Sequence, residues 1–83
     1  MNAKFVRQSE HFVRLYSKLD ASIRIKLDKL MDKAVIEPDV GKPMRFCRKG
    51  TRELYLAPFR LSYAYDEKSG ILTFLDLYHK DGQ

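Results

Sequence analysis

The sequence predicts an α+β fold in the order β-α-α-β-β-β(-β), with an N-terminal helical hairpin packed on one face of a mainly antiparallel sheet. Two observations carry this expectation. From Ser9 onward apolar residues recur at helical spacing, and after Gly41 the pattern changes to short runs punctuated by Pro43, Gly50 and Pro58. No repeat, low-complexity segment or linker divides the 83 residues, so residues 1–83 are expected to form a single domain.

The segment AKFVR (3–7) is short enough to be one strand. Phe12, Leu15, Tyr16 and Leu19 then fall at i, i+3, i+4 and i+7, which lines one face of a helix that Ser9 is placed to cap. A second stripe of Ile23, Leu27, Leu30, Met31 and Ala34 follows, with Ser22 or Asp20 as its N-cap and Pro38 as its stop. So short a connection predicts an αα-hairpin. The remaining runs, MRFC (44–47), RELYL (52–56), FRLSYAYD (59–66) and ILTFLDLYH (71–79), are expected strands. In the third, Leu61, Tyr63 and Tyr65 share one face and Arg60, Ser62 and Ala64 the other. The polar stretch from Asp66 to Gly70 is a hairpin connection with glycine at its end. The last run is apolar on both faces, which predicts an interior strand covered on each side.

Composition excludes several classes. Five Tyr, five Phe and a 45% hydrophobic content supply a core, so disorder is not expected. The single cysteine, Cys47, cannot form an internal disulfide, which points to a reducing cytosol. No run approaches the ~18 apolar residues of a membrane span, and the N-terminus lacks a signal-peptide stretch. A soluble, cytoplasmic protein without membrane association is expected. Two separated histidines and one cysteine make no ligand cluster, so neither a metal nor an organic cofactor is expected.

The charge is not evenly spread. Residues 41–60 hold Lys42, Arg45, Arg48, Lys49, Arg52 and Arg60 against Glu53 alone, which equals the whole net charge of +5. Four of the six are arginines, whose planar fork suits phosphate oxygens and stacks on bases. Such a strip is either a polyanion-binding surface or the solvated part of a basic strand pair.

The short first strand, the SEHF helix start, the VGKPMR loop, the GTREL and PFRLSYAYD runs and the terminal LTFLDLYHKD resemble, in that order, the RelE/ParE superfamily of type II toxins. The pieces that carry the likeness are Arg52-Glu53-Leu54, the strand with Phe59, Arg60, Leu61 and Tyr63, and the closing pair His79 and Lys80. The resemblance implies a RelE-like mRNA interferase: a ribosome-dependent endoribonuclease that inhibits translation and is neutralised by a cognate antitoxin. It implies the ribosome and mRNA as further partners, and operator DNA only through the antitoxin complex. In this family the ribose 2′-hydroxyl attacks the adjacent phosphate. That chemistry needs a proton acceptor, positive charge on the pentavalent phosphate and a proton donor for the leaving 5′-oxygen.

By that resemblance Arg60 contacts the scissile phosphate, and its bland alternative is a strand arginine paired with an acid such as Glu53. His79 and Lys80 match the terminal basic position and are the candidates for moving protons. Neighbours along a strand face opposite sides, so the two are not expected to share one site unless the strand has ended. Arg45, Arg48, Lys49 and Arg52 are the candidates for RNA backbone contact, and at most one of Tyr55, Tyr63, Tyr65 and Tyr78 is expected to stack on a base, the others being core or cross-strand packing. His11 is expected to be solvated surface. The best-studied nucleases of the family carry a lysine pair where this chain has RELYL, and the GTREL form also occurs among ParE-like members. Two alternatives therefore stand beside the nuclease: a ParE-like DNA gyrase inhibitor, and an inactive homologue that binds antitoxin as a corepressor.

If the strip is the binding surface, RNA or ribosome binding will weaken steeply as salt rises. Reversing Arg48 to Glu will then cost far more affinity than reversing Lys29 on the second helix. Equal losses in a salt-dependent binding titration would refute a localised surface.

Overall fold

The computed structural model describes residues 2–43 and 50–79. Its elements are β1 (Phe5–Gln8), α1 (Glu10–Ser17), α2 (Ala21–Ile36), a 3-10 turn (Pro38–Val40), β2 (Lys42–Pro43), β3 (Thr51–Leu56), β4 (Phe59–Asp66) and β5 (Ile71–His79). The five strands form one sheet in the order β1-β5-β4-β3-β2. Every neighbouring pair is antiparallel except β1 with β5. The α+β architecture expected from the sequence is present, with both helices against one face of a mixed sheet. The expected strand at 44–47 lies outside the described residues.

The helical stripes form the underside of that layer. Phe12, Leu27 and Ala34 are fully buried against Leu61, Tyr63, Leu72 and Phe74, and Leu15, Tyr16, Leu19, Leu30, Met31 and Val35 pack around them. Phe12 stacks on Phe74 with ring centroids 5.6 Å apart. The Tyr16 hydroxyl donates to Asp28 Oδ1 at 2.6 Å and ties α1 to α2. Asp20 precedes α2 but makes no side-chain capping bond; its carbonyl instead accepts from Arg24 N.

Ser9 does more than cap. Its Oγ accepts from Phe12 N at 3.0 Å and donates to the Leu75 carbonyl at 2.8 Å, while its own N–H donates to the Phe74 carbonyl. The helix start is thereby fixed to a bulge in β5. Phe74 faces Tyr63 and Asp76 faces Ser62, so Leu75 is an extra residue and the alternation shifts by one. Leu72 and Phe74 before the bulge, and Leu77 after it, therefore all enter the core. This corrects the expectation that β5 is covered on both sides. The strand is interior, but the change of phase draws Leu77 into the core, and Ile71, Thr73 and Leu75 on the far side are only half-buried.

Gly70, with φ +74°, closes the turn between β4 and β5 in a conformation that side chains disfavour. Gly41 is required for another reason. Its backbone is extended, but a Cβ there would lie 2.7 Å from the Tyr63 hydroxyl oxygen and 2.8 Å from Cε1. Tyr63 is fully buried on β4, donates to the Pro38 carbonyl at 2.7 Å and accepts from Gly41 N at 2.9 Å. One hydroxyl thus holds the chain between α2 and β2 against the core.

Burial pushes the Tyr63 pKa above its ordinary 10.0, against the opposing effects of the Gly41 N–H and the Arg52 charge. The folded state then holds this proton more tightly than the unfolded chain. Its contribution to stability is complete below about pH 10 and is lost as pH rises through the folded value. Tyr63→Phe is expected to cost about 1–3 kcal/mol in denaturant titrations at neutral pH, because it strips the partners from two backbone groups. The gap between wild type and variant should narrow above pH 10; a gap independent of pH would show that the hydroxyl does not titrate with folding.

Candidate nucleic-acid interface

The strand register sorts the candidate residues by face. On the side away from the helices, Tyr55, Arg60 and Tyr78 lie in one row across β3, β4 and β5, and Glu53, Ser62 and Asp76 in the next. Arg60 Nη1 donates to Glu53 Oε1 at 3.2 Å. The Glu53 side chain is 5% exposed and that of Arg60 is 36% exposed, so a buried carboxylate holds a guanidinium that still reaches solvent. The Tyr55 ring, itself well exposed, lies 5.8 Å from Arg60 Cζ. Along β4 itself the next residues on this face, Ser62 and Ala64, are small, and the bulk beside Arg60 comes from Tyr55 and Tyr78 on the neighbouring strands. The group can therefore meet an anion on its open side while its other side is anchored.

His79 lies on the other face. It is opposite Phe59 and meets that ring edge-on at 5.7 Å, whereas the residue opposite Arg60 is Tyr78. Arg60 and His79 are thus close in the sheet but project to different sides. Lys80 lies outside the described residues, as do Arg45, Arg48 and Lys49.

Arg52, expected to contact RNA, is on the helix side opposite Tyr63. Its Nη1 donates to the carbonyls of Gly41 at 2.7 Å and Asp39 at 3.1 Å, and Nη2 lies 3.6 Å from the Asp39 carboxylate. It lines a cleft of about 450 Å³ with Asp39, Pro43, Thr51, Tyr65 and Glu67, where the Asp39 carboxylate offsets its charge. The tyrosines separate in the same way. Tyr63 is core, Tyr65 is half-buried on the helix side, and Tyr55 and Tyr78 flank Arg60.

One contact is not legible in the sequence, and neither is the burial of another. His11 is not merely solvated: its Nε2 lies 2.9 Å from Asp76 Oδ1 and links α1 to β5. Glu53 entered only as the acid that Arg60 could pair with, yet it is the most buried charged residue of the described chain. Nothing local signals the His11 contact, because 65 residues separate the partners. Among the described residues no three His, Cys, Asp or Glu side chains gather as a metal site, and no helix is long and apolar enough to cross a membrane.

No protein-family model matches the chain, and no curated protein is significantly similar to it in sequence. Solved structures do match. A chain of the toxin–antitoxin complex RelBE2 from Mycobacterium tuberculosis superposes with a TM-score of 0.82 at 27% identity, over 95% of this chain and 93% of that one. The chain is RelE-like. The isolated RelE toxin of Escherichia coli matches this RelE-like fold with a TM-score of 0.78 at 16% identity, over 90% of this chain and 82% of its own. The archaeal RelE–RelB complex from Pyrococcus horikoshii matches with 0.76 at 15% identity, over 98% and 99%. The two lower identities speak for the fold alone.

Within this RelE-like sheet Arg52 and Arg60 have separate partners. Arg52→Ala is expected to lower stability by about 1–2 kcal/mol, since two backbone carbonyls lose a charged donor. A thermal or urea melt unchanged by the substitution would show that the Gly41 and Asp39 contacts contribute nothing.

Proposed function

We propose that this RelE-like chain is the toxin of a type II toxin–antitoxin pair and acts as a ribosome-dependent mRNA endonuclease. The observation that carries the reading is a half-exposed arginine, Arg60, anchored on the helix-free face of a sheet whose fold matches RelE toxins. In this scheme the guanidinium binds the scissile phosphodiester and offsets the charge that gathers on its oxygens as the 2′-hydroxyl attacks. The 2′-oxygen forms a bond to phosphorus, the bond to the 5′-oxygen breaks, and the products are a 2′,3′-cyclic phosphate and a 5′-hydroxyl end. One proton leaves the 2′-hydroxyl and one is delivered to the 5′-oxygen. His79 and Lys80 are the groups assigned to that transfer. Arg45, Arg48 and Lys49, with whatever part of Arg52 is not engaged by Gly41 and Asp39, supply contacts to the RNA backbone.

The partner in this reading is a cognate antitoxin that covers the basic surface with acidic groups and apolar anchors. Solved structures of RelE with RelB from three organisms support it by analogy. A second reading is favoured by one observation, namely that His79 turns to Phe59 and away from the Arg60 face. It is a binding module without catalysis, either a ParE-like gyrase inhibitor or an antitoxin-binding corepressor.

Purified protein added to ribosome-bound mRNA is expected to cleave it, and Arg60→Ala to lower the rate at least tenfold with the fold intact. Absence of cleavage at stoichiometric protein would remove the nuclease reading. Inhibition of supercoiling in a gyrase assay, insensitive to His79→Ala, would then favour the binding module.

A further inference from the structure

We infer that Glu53 is the positioning residue of the Arg60 site: a buried carboxylate that fixes the reach of the guanidinium towards a phosphodiester without touching RNA itself. The inference rests on the reading of Arg60 as the phosphate ligand and concerns how that ligand is held.

An arginine on an open strand face has several freely rotating bonds and gives up substantial side-chain entropy when it is fixed. Here the restraint is specific. Nη1 is bonded to Glu53 Oε1 at 3.2 Å, and the Tyr55 ring lies 5.8 Å from Cζ. Nε is buried and has no hydrogen-bond acceptor among the described residues, so no bond at that position shares in orienting the group. Among the described residues the hydrogen bond that directs the guanidinium therefore comes from the Glu53 carboxylate, with the Tyr55 ring packed beside it. That carboxylate is itself immobile, on β3 between the β2 residue Lys42 and the β4 residue Ser62, with a side chain only 5% exposed.

The same burial argues against a proton-transfer role for Glu53. Its Oε2 is buried and its Oε1 is occupied by Arg60, so a ribose hydroxyl cannot reach either oxygen without displacing the arginine that holds the phosphate. The carboxylate also carries a cost for ligand binding. Its negative charge, 3.2 Å from the guanidinium, offsets part of the attraction that Arg60 offers a phosphate. Glu53 thus trades ground-state affinity for orientation, and orientation is what a developing negative charge on phosphorus rewards.

These two effects are separable by substitution. Glu53→Gln keeps the shape and an acceptor oxygen but removes the charge, whereas Glu53→Ala removes both. Both variants are expected to bind an uncleavable 2′-O-methyl RNA oligonucleotide at least as tightly as wild type. Only the alanine variant should be slow, with kcat for ribosome-bound mRNA at least tenfold lower, and the glutamine variant within threefold of wild type. In an Arg60→Ala background, Glu53→Ala should cause no further loss. A glutamine variant as slow as the alanine variant would mean that the carboxylate itself takes part in the reaction. An additional loss on top of Arg60→Ala would mean that Glu53 supports the fold instead of Arg60. Either result overturns the inference.

If wild type fails to cleave RNA, the nuclease reading falls and the positioning claim is tested separately by nitrogen-15 NMR of the Arg60 Nε–H. That signal should be sharp in wild type and Glu53→Gln and broadened in Glu53→Ala. An unchanged signal in a folded alanine variant would overturn the claim whatever the activity.

Discussion

The Tyr63 hydroxyl is the constraint on which much of the remaining structure depends. It sits at the centre of the core, between Phe74 and the segment that leads from α2 into β2, and it serves as donor to Pro38 and acceptor from Gly41 at once. A buried hydroxyl with both functions satisfied is inexpensive, whereas one left unsatisfied would cost about 1–3 kcal/mol. The turn after α2 therefore has one good place to dock. Gly41 follows from that docking, because a methyl group there would occupy the space of the tyrosine ring. Arg52 reinforces it from the neighbouring strand by donating to the same stretch of backbone.

The β5 bulge makes the second structural decision. By inserting Leu75 it turns Leu72, Phe74 and Leu77 to the helices, and Ser9 and Asp76 use the irregular backbone around it. A strand end that would otherwise keep strict alternation instead places Tyr78 beside Arg60 and His79 beside Phe59. The face that carries the histidine is a consequence of this register, and not of composition.

Electrostatics then divides a strip that looks uniform in sequence. Arg52 and Arg60 are eight residues apart and chemically identical, yet the first is enlisted by backbone carbonyls and Asp39 and the second by Glu53. Of these two guanidiniums, what remains available to an external anion is the exposed part of each, and the one on the helix-free face is that of Arg60. The count of basic residues overstates the accessible positive charge, because partners supplied by the fold draw on it first.

The sequence by itself determined the element types and their order. Helical spacing from Phe12 to Ala34, the Ser9 cap, the alternation from Phe59 to Asp66 and the glycine that closes the last hairpin are all local signals, and local signals survive without knowledge of distant neighbours. It also located Arg60 on a face with small neighbours and offered Glu53 as its possible partner. Only the tertiary structure decided the strand order, the parallel pairing of β1 with β5, the Leu75 phase change, the diversion of Arg52 to Gly41, and the separation of His79 from Arg60. Each of these depends on residues brought together from far apart in the chain, and a residue's own spacing pattern carries no record of which partner, at which register, will reach it.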